Sequence, residues 1–272
     1  MGTTVRDNQA DIGGGIENTG VMTITDTTIS DNRARIGGGI HNNGPGSGLG
    51  GGLVIERSTI SDNRAADGGG ISNRGGDTEQ GIVTMTNSTV SGNAAMNDGG
   101  GILNDDIGKV RLNNVTVTQN RADSDDDGSG DGGGIFNGRF DPALDQGEEV
   151  SLSNTILAEN RDRGGEAPDC AGILTSLGHN ILGDPTGCMF SRTPTDKIGV
   201  DSRLRSLQNN GGLTRTHALQ PDSPAIDMGD NATCAPTDQR GVPRPQDGDG
   251  DGVPVCDIGA FERRPGEAIA SG

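Results

Sequence analysis

Apolar residues recur at every second position in five short segments: Met22-Thr-Ile24, Leu53-Val-Ile55, Val83-Thr-Met85, Val110-Arg-Leu112 and Val150-Ser-Leu152. That is the period of a strand with one buried face. Five residues after each segment stands another apolar position, namely Ile29, Ile60, Val90, Val117, and then Ile156 or Leu157. A third apolar position closes the phrase Gly-Gly-Gly-Ile at 13–16, 37–40, 68–71, 99–102 and 132–135. Copies spaced 24, 31, 31 and 33 residues apart mark stacked structural units. The pattern therefore predicts an all-β chain, a right-handed parallel β-helix (a solenoid) with three short strands per rung. Leucine-rich repeats need denser leucine and helical repeats need a 3.6-residue period; neither occurs here.

Two asparagine series accompany the repeat. One lies two residues after each isoleucine: Asn18, Asn42, Asn73, Asn104 and Asn137. The other ends the phrase Thr-(Ile/Val)-x-x-Asn, at Asn8, Asn32, Asn63, Asn93, Asn120 and Asn160. Asparagine tolerates left-handed backbone and bonds its own turn. Stacked at the strand spacing of about 4.8 Å, identical amides also bond along a ladder. The glycines suit a turn with positive φ or a close approach of rungs. A phosphate-cradling glycine loop would open a helix, and no helix follows. Regular rungs are expected over 1–160, and variable loops leave them at 43–52, 74–81, 122–131 and 138–149.

Composition agrees with a thin core. Gly supplies 49 of the 272 residues, Trp and Tyr are absent, and Phe appears four times. A narrow aliphatic column can be filled that way, whereas a wide globular core cannot. The formal charge of −18 speaks against nucleic acid as partner and against adsorption to anionic lipid. No apolar run approaches the roughly 18 residues of a membrane helix.

Cys170, Cys188, Cys234 and Cys256 match neither a CxxC redox site nor a zinc knuckle. Two local disulfides, Cys170–Cys188 and Cys234–Cys256, are the simplest pairing. They imply an oxidising, extracytoplasmic setting, secreted or at the cell surface. Met1 leads directly into Gly-Thr-Thr-Val without the hydrophobic stretch of a signal peptide, which reads as a mature or trimmed product. Residues 161–262 drop the triple glycine and are expected to form irregular, disulfide-stapled rungs and a cap, with 263–272 as a tail.

Several phrases in this part carry a resemblance: Asn210-Gly-Gly-Leu-Thr214, Asp222-Ser-Pro-Ala-Ile-Asp227, Asp238-Gln-Arg-Gly-Val-Pro-Arg-Pro245 and Cys256-Asp-Ile-Gly-Ala-Phe-Glu262. They resemble the C-terminal part of bacterial right-handed parallel β-helix proteins of the "choice-of-anchor Q" domain type. The glycine and asparagine repeats are similar to those of chlamydial polymorphic outer-membrane proteins. The resemblance spans about 5–262 and implies a secreted or surface-displayed solenoid with a structural or adhesive role.

Candidate chemistry is sparse. Asp247, Asp249 and Asp251 alternate with glycines, hard oxygen donors that suit Ca²⁺ or, equally, form a solvated acidic turn. Ile258 stands where an EF-hand loop would need glutamate. Asp123–Asp127 with Asp131 is a weaker acidic candidate. A carbohydrate-active β-helix, lyase or hydrolase, would need paired carboxylates or an arginine or lysine base on one face. Asp105-Asp106 and Asp125–Asp127 have no partner histidine, and His41, His179 and His217 have no nucleophile or carboxylate at motif spacing. The sequons at Asn87, Asn114 and Asn231 are read as chance matches. The first strand, Thr4-Val5, enters in mid-rung, so a second copy stacking end to end into a filament is an expected partner, beside a surface glycan or protein. The resulting expectation is a non-enzymatic structural or adhesive element. A carbohydrate-active enzyme and a glycan-binding module are the alternatives.

Overall fold

The alternating segments form the strands Met22–Thr25, Gly52–Glu56, Ile82–Thr86, Lys109–Asn113 and Glu149–Ser153, each paired in parallel with the copy one repeat away. The structure is a computed structural model and describes residues 2–43, 52–75, 81–105, 107–138 and 149–267. The expected loops at 43–52, 74–81 and 138–149, and Asp106, lie wholly or largely outside the described residues. Register puts Ile24, Ile55, Met85, Leu112 and Leu152 in one inward column. The Thr-x-Ser strands stack likewise, with Ile29, Ile60, Val90, Val117, Leu157 and Leu182 inside. Leu157, not Ile156, is thus the inward residue of its rung. Ile16, Ile40, Ile71, Ile102 and Ile135 complete the column, which ends on Cys170. The fold is a parallel β-helix around one aliphatic core.

Four successive rungs also carry a fourth, two-residue strand that the pattern did not announce. Arg64–Ala65, Ala94–Ala95, Arg121–Ala122 and Arg161–Asp162 form a narrow four-stranded sheet. Two residues are too few for a period-2 signal. The two wider faces belong to one twelve-stranded sheet because Cys170–Ser176 bends across both, pairing with Ile135–Asn137 at one end and Glu149–Ser153 at the other.

Corners turn on single residues with positive φ. One column is Asp26, Arg57, Asn87, Asn114, Asn154 and His179; the other is Asp7, Asp31, Asp62, Gly92, Gln119 and Glu159. The ladder asparagines are therefore not the left-handed residues. In the Asn8–Asn160 series the residue before each one takes that conformation, and the asparagine follows it with its amide turned along the axis. Asn8 donates through Nδ2 to Asn32 Oδ1, Asn32 to Asn63, Asn63 to Asn93, Asn93 to Asn120 and Asn120 to Asn160, each at 2.9 Å. The ladder ends on a carboxylate, Asp169, which accepts from Asn160 at 2.9 Å. A second ladder runs from Asn18 through Asn42, Asn73 and Asn104 to Asn137 at 2.7 Å per step.

The glycine phrase is explained at one copy. Gly99 has φ 66°, a conformation that costs side chains with a Cβ. A Cβ on Gly100 would lie 2.4 Å from the backbone of Arg121 and Gly133 on the next rung. One on Gly101 would lie 2.5 Å from Gly134 O and 3.0 Å from Asn120. The first glycine makes the turn, and the other two leave room for the neighbouring rung.

The C-terminal part departs from the expected end cap. Cys170–Ser176, Ile181–Leu182, Cys188–Ser191 and Lys197–Ile198 continue the rungs. Residues 204–262 then turn back along the outer side of the eight-stranded sheet as a strap, meeting earlier rungs one after another. Asp230 N donates to Asn154 Oδ1, Ala235 N to Asn114 Oδ1, Asn87 Nδ2 to Thr237 O, and Gln239 Nε2 to Thr59 Oγ1. The strap covers Thr59, Ser61, Thr89, Ser91, Thr116 and Thr118, each 2% exposed or less. On the later rungs Ile156, Ala158 and Ile181 point outward instead and form a second core with Leu204, Leu219, Ile226, Ile258 and Phe261. Residues 263–267 are tied down rather than free: Arg263 N donates to Asp257, and Glu267 pairs with Arg240 at 3.0 Å.

Candidate functional site

A groove follows the solenoid axis between the eight-stranded and four-stranded sheets, in two segments of about 450 and 570 Å³ that meet at Gly92. One rim is the left-handed column Asp7, Asp31, Asp62, Gly92, Gln119 and Glu159. The other is the in-register series Gln9, Arg33, Arg64, Ala94, Arg121 and Arg161. The ladder amides lie beneath.

The two rims differ in how their charges are met. Arg6 lies 2.9 Å from Asp7 and 3.8 Å from Asp31, Arg215 lies 3.8 Å from Asp62, and Ser202 Oγ donates to Glu159 at 2.6 Å. Arg33, Arg64, Arg121 and Arg161 make no ion pair with any described residue, and Arg121 Nε is buried without a partner. Sequence reasoning missed this row. Its signal was visible: each of the four arginines directly follows a ladder asparagine.

Of the proposed calcium ligands, the structure brings Asp247 and Asp249 together and replaces Asp251 with Asp227. Carboxylate oxygens of Asp227, Asp247 and Asp249 all lie within 4.8 Å of one another. Asp251 instead accepts from Val253 N at 2.8 Å. Asp227 sits some twenty residues upstream, so alternation could not reveal it. Burial raises the Asp227 carboxyl above its ordinary range, backbone donors from Gly248 and Asp249 oppose this, and the charges of Asp249 and Asp247 reinforce it. Asp247 accepts from Gly250 N and Gly252 N, closing the turn on itself. Asp123, Asp125 and Asp127 cluster similarly, with Asp123 accepting from Asp127 N. Nothing else among the described residues directs a cation to either turn.

The histidines do not converge. His41 is buried, and desolvation lowers its pKa. His179 is half-buried, with Nδ1 at 2.8 Å from Met228 O. His217 is enclosed between strap and sheet, Nδ1 against Arg205 O at 2.6 Å and Nε2 against Ser91 Oγ at 2.9 Å. With a backbone carbonyl on one side and no access for a substrate, this serine–histidine contact is structural.

Burial pushes the His217 pKa down to about 4. An unfolded histidine titrates near 6.5. A depressed pKa means the contribution is fully present above pH 6.5 and is lost as pH falls through 4. The difference corresponds to about 3 kcal/mol. Asp169, raised to about 6 by burial, has the opposite sign, since its cost is relieved on acidification. The two are separated by comparison with His217→Gln. Between pH 7 and 4 the parent protein should lose about 3 kcal/mol more than the variant in urea denaturation. Parallel pH profiles would refute the assignment.

Both disulfides form as expected, Cys170–Cys188 and Cys234–Cys256. The first joins neighbouring rungs and the second lies in the strap beside Asn114. Asn87 and Asn114 are 5% and 0% exposed, which removes those two sequons as acceptors in the folded chain. The phrases that carried the resemblance build the knot of the strap. Arg240 and Arg244, each 1% exposed at the side chain, pair with Asp238 and Glu262 at 2.8 Å, and the Arg240 guanidinium stacks 3.6 Å from the centre of the Phe261 ring. Burial raises the Asp257 and Glu262 carboxyls and lowers Arg244.

Among the described residues no helix is long and apolar enough to cross a membrane. Comparison with protein-family models, with curated proteins and with solved structures returned no match.

Proposed function

We propose that this chain is a non-enzymatic, extracytoplasmic β-helix that acts as an adhesive or structural surface element, with the axial groove as its contact surface. The observation that carries the reading is the repetition of the groove. The same two rims recur rung after rung, so the surface is extended and multivalent, as solenoid contact surfaces are, and not a single focused pocket. The disulfides support an oxidising compartment. The strap phrases support kinship with choice-of-anchor Q proteins.

A carbohydrate-active enzyme is the second reading. It is favoured by the meeting of Asp7, Asp31 and Asp62 with Arg33 and Arg64 in one segment of the groove. Purified protein is tested on immobilised neutral polysaccharides, acidic polysaccharides and extracellular matrix proteins, with assays for new reducing ends and unsaturated uronides. Retention without product is expected. Release of product transfers the chain to the second reading, and retention on no surface defeats the adhesive one.

A further inference from the structure

The chain holds 39 acidic and 21 basic side chains, so an arginine without an acidic neighbour runs against its composition. Outside the groove, Arg35 pairs with Asp11 at 3.1 Å and Arg57 with Asp26 at 2.8 Å, while Arg111, Arg192 and Arg264 are exposed and form no ion pair with a described residue. What sets the groove row apart is that its arginines stack in register. Inside it, Arg33 stacks on Arg64 and Arg121 on Arg161, like-charged residues in register on backbones about 4.8 Å apart. Such pairs destabilise the sheet that carries them. From Arg33 to Arg161 the row spans four rung steps, about 19 Å.

Resting on the adhesive reading of this groove, we propose that its ligand is a linear acidic polysaccharide. Sugar carboxylates would lie on the arginine column and sugar hydroxyls on the opposite rim. A guanidinium fork matches a carboxylate with two donors. The facing rim offers acceptors, the Asp7, Asp31, Asp62 and Glu159 carboxylates and the Gln119 amide, which suit hydroxyl donors. A sugar residue is about as long as a rung is high, so successive residues of one chain meet successive rungs. The segment beyond Gly92 has Arg121 and Arg161 against a single acid, Glu159, and is the stronger anion site. Charge elsewhere on the molecule matters little at this range, because the screening length is about 8 Å at physiological ionic strength. Single-stranded nucleic acid needs aromatic platforms, and the chain has no Trp or Tyr.

Affinity electrophoresis and calorimetry of the full chain with polygalacturonate, in chelator to prevent gelation, test the proposal. Dextran serves as the neutral control. Arg121 and Arg161 lack an ionic partner and stack as like charges, so R121Q/R161Q should melt no lower than the parent while binding polygalacturonate at least tenfold more weakly. R203Q, just ahead of the strap and outside the groove, should bind as the parent does. Equal binding to dextran overturns the acidic class, and binding unchanged in R121Q/R161Q overturns the location. Retention on dextran or matrix protein with none on polygalacturonate leaves the adhesive reading standing and removes this ligand. Retention on nothing removes both.

Discussion

Asn63→Ala is expected to cost about 3–5 kcal/mol, as large an effect as deleting a well-packed core side chain. Asn63 is fully buried. Its Oδ1 accepts from Asn32 N at 3.0 Å and Asn32 Nδ2 at 2.9 Å, while its Nδ2 donates to Ile29 O at 3.0 Å and Asn93 Oδ1 at 2.9 Å. Alanine strands donors on one side and acceptors on the other. Each unsatisfied buried group costs roughly 1–3 kcal/mol, and partial relaxation holds the sum below simple addition. Asn63→Asp keeps the size but points a carboxylate at two acceptors, so it should be at least as harmful at pH 7. Asn8 is exposed and donates to one neighbour, so Asn8→Ala should cost about 1 kcal/mol. Urea denaturation read with rung-resolved hydrogen exchange measures all three. Equal losses for Asn63→Ala and Asn8→Ala would show that the ladder is not the axial tie described here.

Arg244→Ala should release the strap. Arg244 Nη1 donates to Glu262 Oε2 at 2.8 Å and to Asp257 O at 2.6 Å, and Nη2 donates to Gly259 O at 2.7 Å. Removing one member of a buried ion pair typically costs 3–5 kcal/mol, because the other charge stays buried without compensation. Gly259 and Ala260 dock on Asn154 and Thr116, so the loss is transmitted to the seam with the solenoid. Proteolysis should cut within 204–262 while Gly52–Glu56 and Ile82–Thr86 keep their exchange protection. Arg244→Met with Glu262→Gln should recover part of the stability. Simultaneous loss of protection in strap and rungs would make the strap part of one cooperative unit instead.

Much of the architecture was legible because its determinants are local and repeated. Ile24, Ile55 and Met85 announce a strand by alternation. Gly99–Gly101 announce a crowded corner. The ladder asparagines announce axial pairing by recurrence. The candidate site was much less legible. Arg121 and Arg161 are ordinary charged residues in sequence, and their meaning depends on stacking in register and on which acids lie beside them. Asp227 joins Asp247 and Asp249 through a chain reversal that no spacing rule contains. The left-handed residues were misplaced by one position, because a polar turn residue and a polar ladder residue are adjacent and chemically alike.

By itself the sequence determined the coil: its period, its aliphatic column, its amide ladder and its cysteine pairs. The first three are contacts between equivalent positions of consecutive copies, and the cysteine pairs are local in sequence. Tertiary structure alone decided the path of residues 204–262. Bonds from that segment to the rungs reach back 76 positions from Asp230 to Asn154 and 181 from Gln239 to Ser58, and link chemically unlike partners. Repetition encodes what each rung does to the next. It carries no record of a segment that lies across many rungs at once.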